Sequence, residues 1–238
     1  MSKIKVRRVS SLLQEGFDKE KIAEAFVDVN KKAWPPPVPE RYLWTREKVL
    51  LQIQHCPHML YCAFKKDQII GTLSSIHTTQ NDVEQTKSWE SISGNGTLST
   101  HNEDGDVSFG LDLSVDPKFR GLGAQDILIQ KAFLICVVFG KKKGVFLGSR
   151  APKLHRQTKT MSAEDHIFGK NGKSRDPEVR MYQTEGFFIR KIIPGYMEDP
   201  DSLDYGVLMF YPNPTYTWTK WIPLFIMGTL GNIVEKIY

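Results

Sequence analysis

The feature that most constrains the fold is a glycine-containing turn between a predicted strand and a predicted helix. Residues 109–115 read as a buried strand, and residues 124–139 carry apolar side chains at helical spacing. The turn RGLG at 120–123 follows Pro117, a residue that cannot continue a β-ladder. Such a turn directs free backbone N–H groups to one point, where the helix dipole adds positive potential. The segment therefore predicts an α/β fold with a diphosphate site at the start of this helix.

This turn resembles motif A of the GNAT acyltransferases, whose pattern is Arg/Gln-x-x-Gly-x-Gly/Ala. Arg120 and Gly123 match the pattern, whereas Gln125 stands where the family has Gly or Ala. The segment MYQTEGF at 181–187 resembles motif B of the same family, Tyr-x-x-x-Gly-Phe. The resemblance implies a GNAT-like acyl-CoA N-acyltransferase fold, in which a central mixed α/β sheet splays apart and is flanked by helices.

A narrower resemblance covers roughly residues 55–215. Blocks such as DLSVDPKFRGLG (112–123) and GSRAPKLH (148–155) are similar to the GNAT modules found fused to, or beside, carbon–nitrogen hydrolases of the nitrilase type. A nitrilase needs a Cys–Glu–Lys site on a far longer domain. The resemblance therefore implies an acetyltransferase-like module and not an amidase.

The composition limits the partners of the chain. The net charge of +5 favours an anionic ligand, but the basic residues are scattered among acidic ones without aromatic interleaving, which argues against nucleic acid. Three cysteines without CxxC spacing predict no disulfide framework and no metal site. The first residues lack the apolar segment of a signal peptide, so a cytoplasmic location is expected.

The element pattern predicts one domain with a tail. The order β, α, α, β, β, β, α, β, α, β, β matches the GNAT arrangement, with a long polar loop at 80–106. We expect an acetyltransferase domain over 1–211 and a tail over 212–238. Within the tail, the apolar segment Trp221–Val234 is shorter than the ~20 residues of a membrane-spanning helix. This segment predicts a docked helix that contacts a partner or a second copy, with a membrane-peripheral location as the other reading.

The resemblance implies acetyl-CoA as the acyl donor. Its pantetheine arm would pair with the exposed edge of the strand 111–115, like an added β-strand. Main-chain N–H groups of the turn would contact its diphosphate. Lys141, Lys142 and Lys143 read as a solvated helix end, with contact to the 3′-phosphate of CoA as the alternative. The residues expected to bind the cofactor are Leu113, Ser114, Val115, Arg120, Gly121, Leu122, Gly123, Ala124 and Gln125.

Direct transfer to an amine needs a base and an acid. A lysine-type amine has a free pKa of about 10.4, so a base or water chain must take its proton. Asp112 on the key strand is the predicted base, and a carboxylate that pairs across the sheet is its alternative role. His101 and Glu103 are other base candidates. Tyr182 of motif B is the residue that the resemblance implies as the acid that protonates the leaving thiolate.

Residues beyond the strand ends are predicted to contact the acceptor. Arg150 and His155 follow the strand at 144–148, and Asn95 and Trp89 lie in the polar region. The predicted function is N-acetyltransfer from acetyl-CoA to a primary amine on a small molecule or a protein. The alternative is a CoA-binding, catalytically weak or silent module that docks a partner through its C-terminal segment.

Overall fold

The computed structural model describes residues 3–34, 36–157 and 161–237 of the 238-residue chain. Seven strands form one mixed sheet in the order β1-β2-β3-β4-β5-β7-β6. The strands are β1 Ile4–Arg8, β2 Leu60–Lys65, β3 Gln68–Thr78, β4 Val107–Val115, β5 Gly144–Ser149, β6 Phe188–Ile193 and β7 Gly206–Pro212. Strands β1 to β4 are antiparallel neighbours, β4 and β5 are parallel, and β7 pairs antiparallel with both β5 and β6. The predicted mixed α/β sheet is confirmed.

Helices flank this sheet. They are α1 Val9–Gln14, α2 Lys19–Ala33, α3 Arg46–His55, α4 Gln80–Gln85, α5 Trp89–Ser93, α6 Ala124–Ala132, α7 Ala163–Phe168, α8 Pro177–Thr184, α9 Tyr216–Thr219 and α10 Leu224–Ile237. Side-chain caps explain three of the starts that matter for the site. Asp18, Thr45 and Asp176 accept hydrogen bonds from first-turn N–H groups of α2, α3 and α8.

Two apolar cores hold these layers together. The larger one packs α2, α3 and α6 against β1 to β4 and includes Phe26, Trp44, Phe109 and Leu128, all at most 1% exposed. The smaller one lies under α7 and α8 around Val179 and includes residues of β7. The larger core also crosses the β4–β5 junction, through Phe146 of β5, Ile193 of β6 and Leu208 of β7.

Two segments differ from the prediction. The polar region 80–106 holds α4 and α5 rather than a continuous loop, because Thr79 and Ser88 cap two short helices. The predicted single helix over 124–139 is α-helical only to Ala132 and continues as a π-helical segment, Phe133–Phe139. The wider winding brings Phe133, Cys136 and Val137 to a cavity in the sheet.

The C-terminal tail packs onto the domain. Glu235 of α10 pairs with Arg8, and Phe139 of the π-helical segment packs against Gly231 of α10. Within the described ranges, every helix is too short or too polar to cross a bilayer. The domain limits at 211 and 212 stay a prediction.

Candidate functional site

Strands β4 and β5 separate near the centre of the sheet. They pair only where Ser108–Gly110 lies beside Val145–Leu147. A bulge then inserts Leu111 between two residues that pair with Ser74 and Ser75 of β3. Trp89 of α5 donates its indole N–H to the Leu111 carbonyl at 3.2 Å, so this carbonyl is satisfied without a strand partner. The predicted splay is therefore present, and beyond Gly110 the β5-facing edge of β4 carries no β5 partner.

A cavity of about 300 Å³ opens at this splay, and we call it the central cavity. It passes between β4 and β5 and therefore has two parts. One part is lined by α6, the π-helical segment and α8. The other part is lined by residues near α2, α3 and α5. Its wall is mostly aromatic and aliphatic, as ligand sites usually are. The polar groups that matter below are Asp112, Arg150, Glu178, Tyr182 and Tyr196.

The turn before α6 has the geometry of an anion site. Gly121 and Gly123 have φ of 75° and 81°, which glycine adopts without strain. The first main-chain bond of α6 runs from the Ile127 N–H to the Gly123 carbonyl, so the preceding amides lie outside the helical ladder. A Cβ on either glycine would contact nothing within 4 Å. The turn is thus open enough for a diphosphate to approach its backbone.

Side chains at this turn are held away from the anion site. The Arg120 guanidinium donates to the Ala33 carbonyl at 3.3 Å, at the end of α2. Gln125 reaches Met181 of α8 with a weak amide-to-sulfur contact at 3.9 Å. Ser114 is fully buried, and its hydroxyl belongs to the hydrogen-bond network of Asp112. The Arg120 main-chain N–H also donates to the Pro117 carbonyl at 3.4 Å, so the unbonded amides of the turn begin after Arg120.

Asp112 accepts hydrogen bonds from four side chains. The donors are Asn30 at 3.2 Å, Trp34 at 3.1 Å, Trp44 at 3.3 Å and Ser114 at 2.9 Å. Burial raises the pKa of Asp112 to about 6, and the four donors oppose that rise. A carboxylate offers about four lone-pair sites, so this one is fully used.

The orientation of Asn30 supports the network around Asp112. The Asn30 carbonyl oxygen accepts the Trp44 backbone N–H at 2.9 Å, which turns its amide NH₂ towards the carboxylate. These four hydrogen bonds fit the structural role that is the alternative for Asp112. The partners are neutral donors. The role of Asp112 as the base stays a prediction.

Glu178 is a second carboxylate of the central cavity, and it has a different environment. It is the second residue of α8, and its carboxylate accepts a hydrogen bond from the Arg150 main-chain N–H but none from a described side chain. Burial raises its pKa to about 7, against the lowering effect of the nearby Arg150. A carboxylate with this pKa and unused lone pairs is suited to take a proton near neutral pH.

Two tyrosine hydroxyls also meet the central cavity. Burial, with the charges of Glu178 and Asp112, raises the pKa of Tyr182 above its ordinary value, so the phenol keeps its proton at neutral pH. Tyr196 is 2% exposed, and its hydroxyl has no hydrogen-bond partner among the described residues. That hydroxyl lies against Gly148 of β5, at the splay.

The predicted acceptor residues separate into two groups. Arg150 and Trp89 line the central cavity, whereas Asn95 and His155 are not among its lining residues. Arg150 makes a two-pronged ion pair with Asp199 at 2.7 and 2.8 Å and lies over the Trp34 ring. His155 contacts the Asp201 carbonyl through Nδ1 at 2.9 Å. Asn95 is exposed with φ of 57° in the turn after α5.

His58, His101 and Glu103 form the one cluster with metal-ligand spacing among the described residues. The Nδ1 atom of His101 accepts the His77 backbone N–H at 3.0 Å. In the neutral ring, Nε2 then carries the proton and donates to Glu103 at 2.9 Å. A cation bound to Nε2 of His101 would have to displace the proton that this atom donates to Glu103. The three side chains therefore form a hydrogen-bonded cluster. As base candidates, His101 and Glu103 lie outside the lining of the central cavity.

The sequence interpretation missed Glu178 and Tyr196. Glu178 precedes Tyr182 by four residues, so the two side chains share one face of α8. That spacing was a readable signal. Tyr196 gave none, because it reaches the cavity from the connection between β6 and β7 and fits only over Gly148 and Gly206.

Comparisons with known proteins agree with this geometry. No protein-family model matches the sequence. The uncharacterized N-acetyltransferase YkwB of Bacillus subtilis is 25% identical over 194 residues, which are 81% of this chain and 85% of YkwB. The probable hydrolase YhcX of the same organism is 26% identical over 199 residues; these cover 83% of this chain but 38% of YhcX, so the chain spans well under half of that relative.

Solved structures share the fold. The loading GNATL domain of CurA from Lyngbya majuscula superposes with a TM-score of 0.72 at 20% identity, over 88% of this chain and 98% of that domain. The GNAT-like decarboxylase GphF, in complex with isobutyryl-CoA, has a TM-score of 0.70 at 21% identity and the same coverage. The chain therefore has the GNAT fold, and its relative YkwB is named an N-acetyltransferase.

Proposed function

We propose that the protein is an N-acetyltransferase that moves the acetyl group of acetyl-CoA directly to a primary amine. The observation that carries this proposal is the open edge of β4 beside a turn of free amides. In this arrangement the pantetheine arm pairs with residues 111–115, and the amides of the turn bind the diphosphate. The thioester then reaches the splay, where the central cavity brings it to the acceptor.

The charge of the central cavity favours an amine acceptor. Its lining holds the carboxylates of Asp112, Glu178 and Glu185, while its one guanidinium, Arg150, is already paired with Asp199. This surplus of negative charge attracts an ammonium group. It repels an acyl group that itself carries a carboxylate, and so it disfavours a decarboxylase reaction of the kind in the name of GphF.

The chemistry follows from Asp112, Glu178 and Tyr182. The saturated network around Asp112 favours Glu178 as the base that takes the amine proton, with Asp112 holding the ammonium by its charge. The amine attacks the thioester carbonyl, and the C–S bond breaks as the amide forms. Tyr182, whose phenol is protonated at neutral pH, gives its proton to the departing thiolate and takes back the second proton of the attacking nitrogen, so that amide, CoA thiol and phenol result. The competing mechanism has Asp112 as the base. The variants Glu178→Gln and Asp112→Asn, described in the Discussion, distinguish the two mechanisms.

A charge substitution at the turn tests the cofactor site. Gly123→Asp places a carboxylate where the diphosphate would lie, and Gly123→Asn is its neutral control of equal size. Asn and Asp both tolerate a positive φ. We expect acetyl-CoA to bind the Asp variant at least about tenfold more weakly than the Asn variant by calorimetry. Equal affinity for the two variants would contradict this placement.

A second measurement separates catalysis from silent binding. Release of free CoA thiol from acetyl-CoA, followed across a set of primary amines and a peptide mixture, is expected to depend on the amine. Binding without turnover on any acceptor would support the alternative of a CoA-binding module that docks a partner.

A further inference from the structure

The exposed part of α10 is mostly apolar, and the side chains of Thr229, Asn232 and Glu235 have partners within the protein. Glu235 pairs with Arg8 and accepts the Ser11 hydroxyl at 2.6 Å, while Asn232 accepts from Arg8 at 3.2 Å. The Thr229 hydroxyl donates to the Phe225 carbonyl of the preceding turn at 2.9 Å. Each of these polar groups therefore has a partner within the protein.

The exposed side chains of this region form what we call the α10 face. Two tryptophans before the helix are about four-fifths exposed, and five large apolar side chains of the helix are exposed beside the polar Thr229 and Asn232. Its members are Trp218, Trp221, Leu224, Phe225, Ile226, Leu230 and Ile233. Seven large apolar residues exposed together are more than the scattered ones of an ordinary surface. If a partner covered these seven side chains, the polar groups described above would keep their hydrogen bonds.

The charge around the α10 face decides what can cover it. Residues 205–234 contain no Asp or Glu, and their one cation is Lys220. Its ammonium lies 5.1 Å from the centre of the Trp221 ring. Glu235, the next acidic residue, is paired inward. A second copy would bring this acid-free face against itself, so Lys220 would meet no carboxylate there. An anionic surface would give Lys220 the opposite charge that a second copy of this face would not supply.

The shape of the region fits a flat surface. Because Met227 and Gly231 are buried against the domain, α10 lies along the protein and does not project from it. Its 14 residues span about 21 Å, which is too short to cross a bilayer but long enough to lie on one. Exposed tryptophans beside a lysine are typical of segments that insert at the headgroup level.

We propose that the α10 face binds a bilayer surface that carries anionic lipid headgroups. The apolar side chains enter the boundary between headgroups and acyl chains, and Lys220 contacts the headgroup phosphates. This inference does not depend on the proposed acetyl transfer.

The test is flotation of the full chain with vesicles of phosphatidylcholine alone and with vesicles that also contain phosphatidylserine. We expect binding to the anionic vesicles, and Trp218→Ala/Trp221→Ala should lower the partition coefficient at least about tenfold. Lys220→Gln should lower it about fivefold on anionic vesicles and leave it unchanged on neutral ones. Phe188→Ala is the matched control, because Phe188 is 58% exposed on the distant strand β6.

Three results would overturn the proposal. They are absence of the wild-type chain from the vesicle fraction, equal flotation of the double tryptophan variant, and equal binding to neutral and anionic vesicles. Sedimentation velocity without lipid identifies the alternative occupant. A dimer that the double tryptophan variant abolishes, in a chain that does not float, would assign the face to a second copy. Circular dichroism and thermal unfolding of each variant check that the fold is kept.

Discussion

Asp112 and Glu178, the two carboxylates of the central cavity with raised pKa values, differ in their surroundings. Asp112 receives four hydrogen bonds from residues of α2, β4 and the segment before α3, whereas Glu178 on α8 receives none from a described side chain. Burial raises both pKa values, to about 6 and about 7. The difference shows that a raised pKa alone does not make a base, because the carboxylate must also have a free lone pair facing the substrate.

The sharpest way to break this comparison is Glu178→Gln. If Glu178 takes the amine proton, kcat/KM at about pH 7.5 should fall by roughly 10²- to 10⁴-fold, the usual contribution of a general base. Affinity for acetyl-CoA should change little. Glu164→Gln on the exposed side of α7 is the matched control, since Glu164 lies outside the cavity lining. Full activity of Glu178→Gln would remove Glu178 from the mechanism.

Asp112→Asn should act on stability more than Glu178→Gln does. The new amide NH₂ would replace one carboxylate oxygen, so it would face either the donors of Asn30 and Trp34 or that of Trp44, and a donor that meets a donor loses its partner. We expect a loss of about 1–3 kcal/mol in the free energy of unfolding, measured in urea. Glu178→Gln should lose less than about 1 kcal/mol.

The reverse pattern of effects would be equally informative. A stable Asp112→Asn protein without activity, beside an active Glu178→Gln protein, would make Asp112 the base, as the sequence predicts.

The sequence predicted what depends on neighbours along the chain. The turn RGLG at 120–123 lies between β4 and α6, and both of its glycines have positive φ. These features rest on local backbone geometry, which a few residues determine. The fold followed from the order of such elements, together with the resemblance of two motifs.

The sequence could not predict the contacts that assign roles. Asn30 and Trp34 lie about 80 positions before Asp112, and nothing in their own surroundings marks them as its donors. Arg150 similarly reads as free to bind a substrate until Asp199 is placed beside it. Tertiary packing brings these partners together, so local patterns identify candidates but not their occupied hydrogen bonds.

The pH dependence of stability should sharpen the difference between the carboxylates. The pKa of Glu178 is about 7 in the folded chain against 4.5 as its ordinary value, so the fold favours its protonated form. Its contribution to stability is complete below about pH 4.5 and is lost as pH rises through about 7. With solvent screening at this partly exposed group, the loss should be roughly 1–3 kcal/mol.

Subtraction isolates this contribution. The free energy of unfolding of wild type minus that of Glu178→Gln, measured from about pH 4.5 to about pH 8, should fall with rising pH. A flat difference would show that the Glu178 carboxylate is solvated in the folded chain, and its suitability as a base would then lack support. Over the same range, the activity of wild type should rise, because the base works only when it is deprotonated.

Tyr196→Phe should give the smallest effect and extend the comparison to neutral groups. The Tyr196 hydroxyl is buried without a partner, and a buried unsatisfied group costs about 1–3 kcal/mol. Removing it should raise the free energy of unfolding of the free protein by up to about 1 kcal/mol. Tyr61→Phe is the matched control with the opposite sign, because the buried Tyr61 hydroxyl contacts the Cys136 sulfur at 3.0 Å.

The bound cofactor is a possible partner of the Tyr196 hydroxyl. If the two form a hydrogen bond, acetyl-CoA should raise the melting temperature of wild type more than that of Tyr196→Phe. An equal rise for both proteins would mean that the hydroxyl stays without a partner in the filled cavity. Its position at the splay would then reflect only the packing of the ring over Gly148.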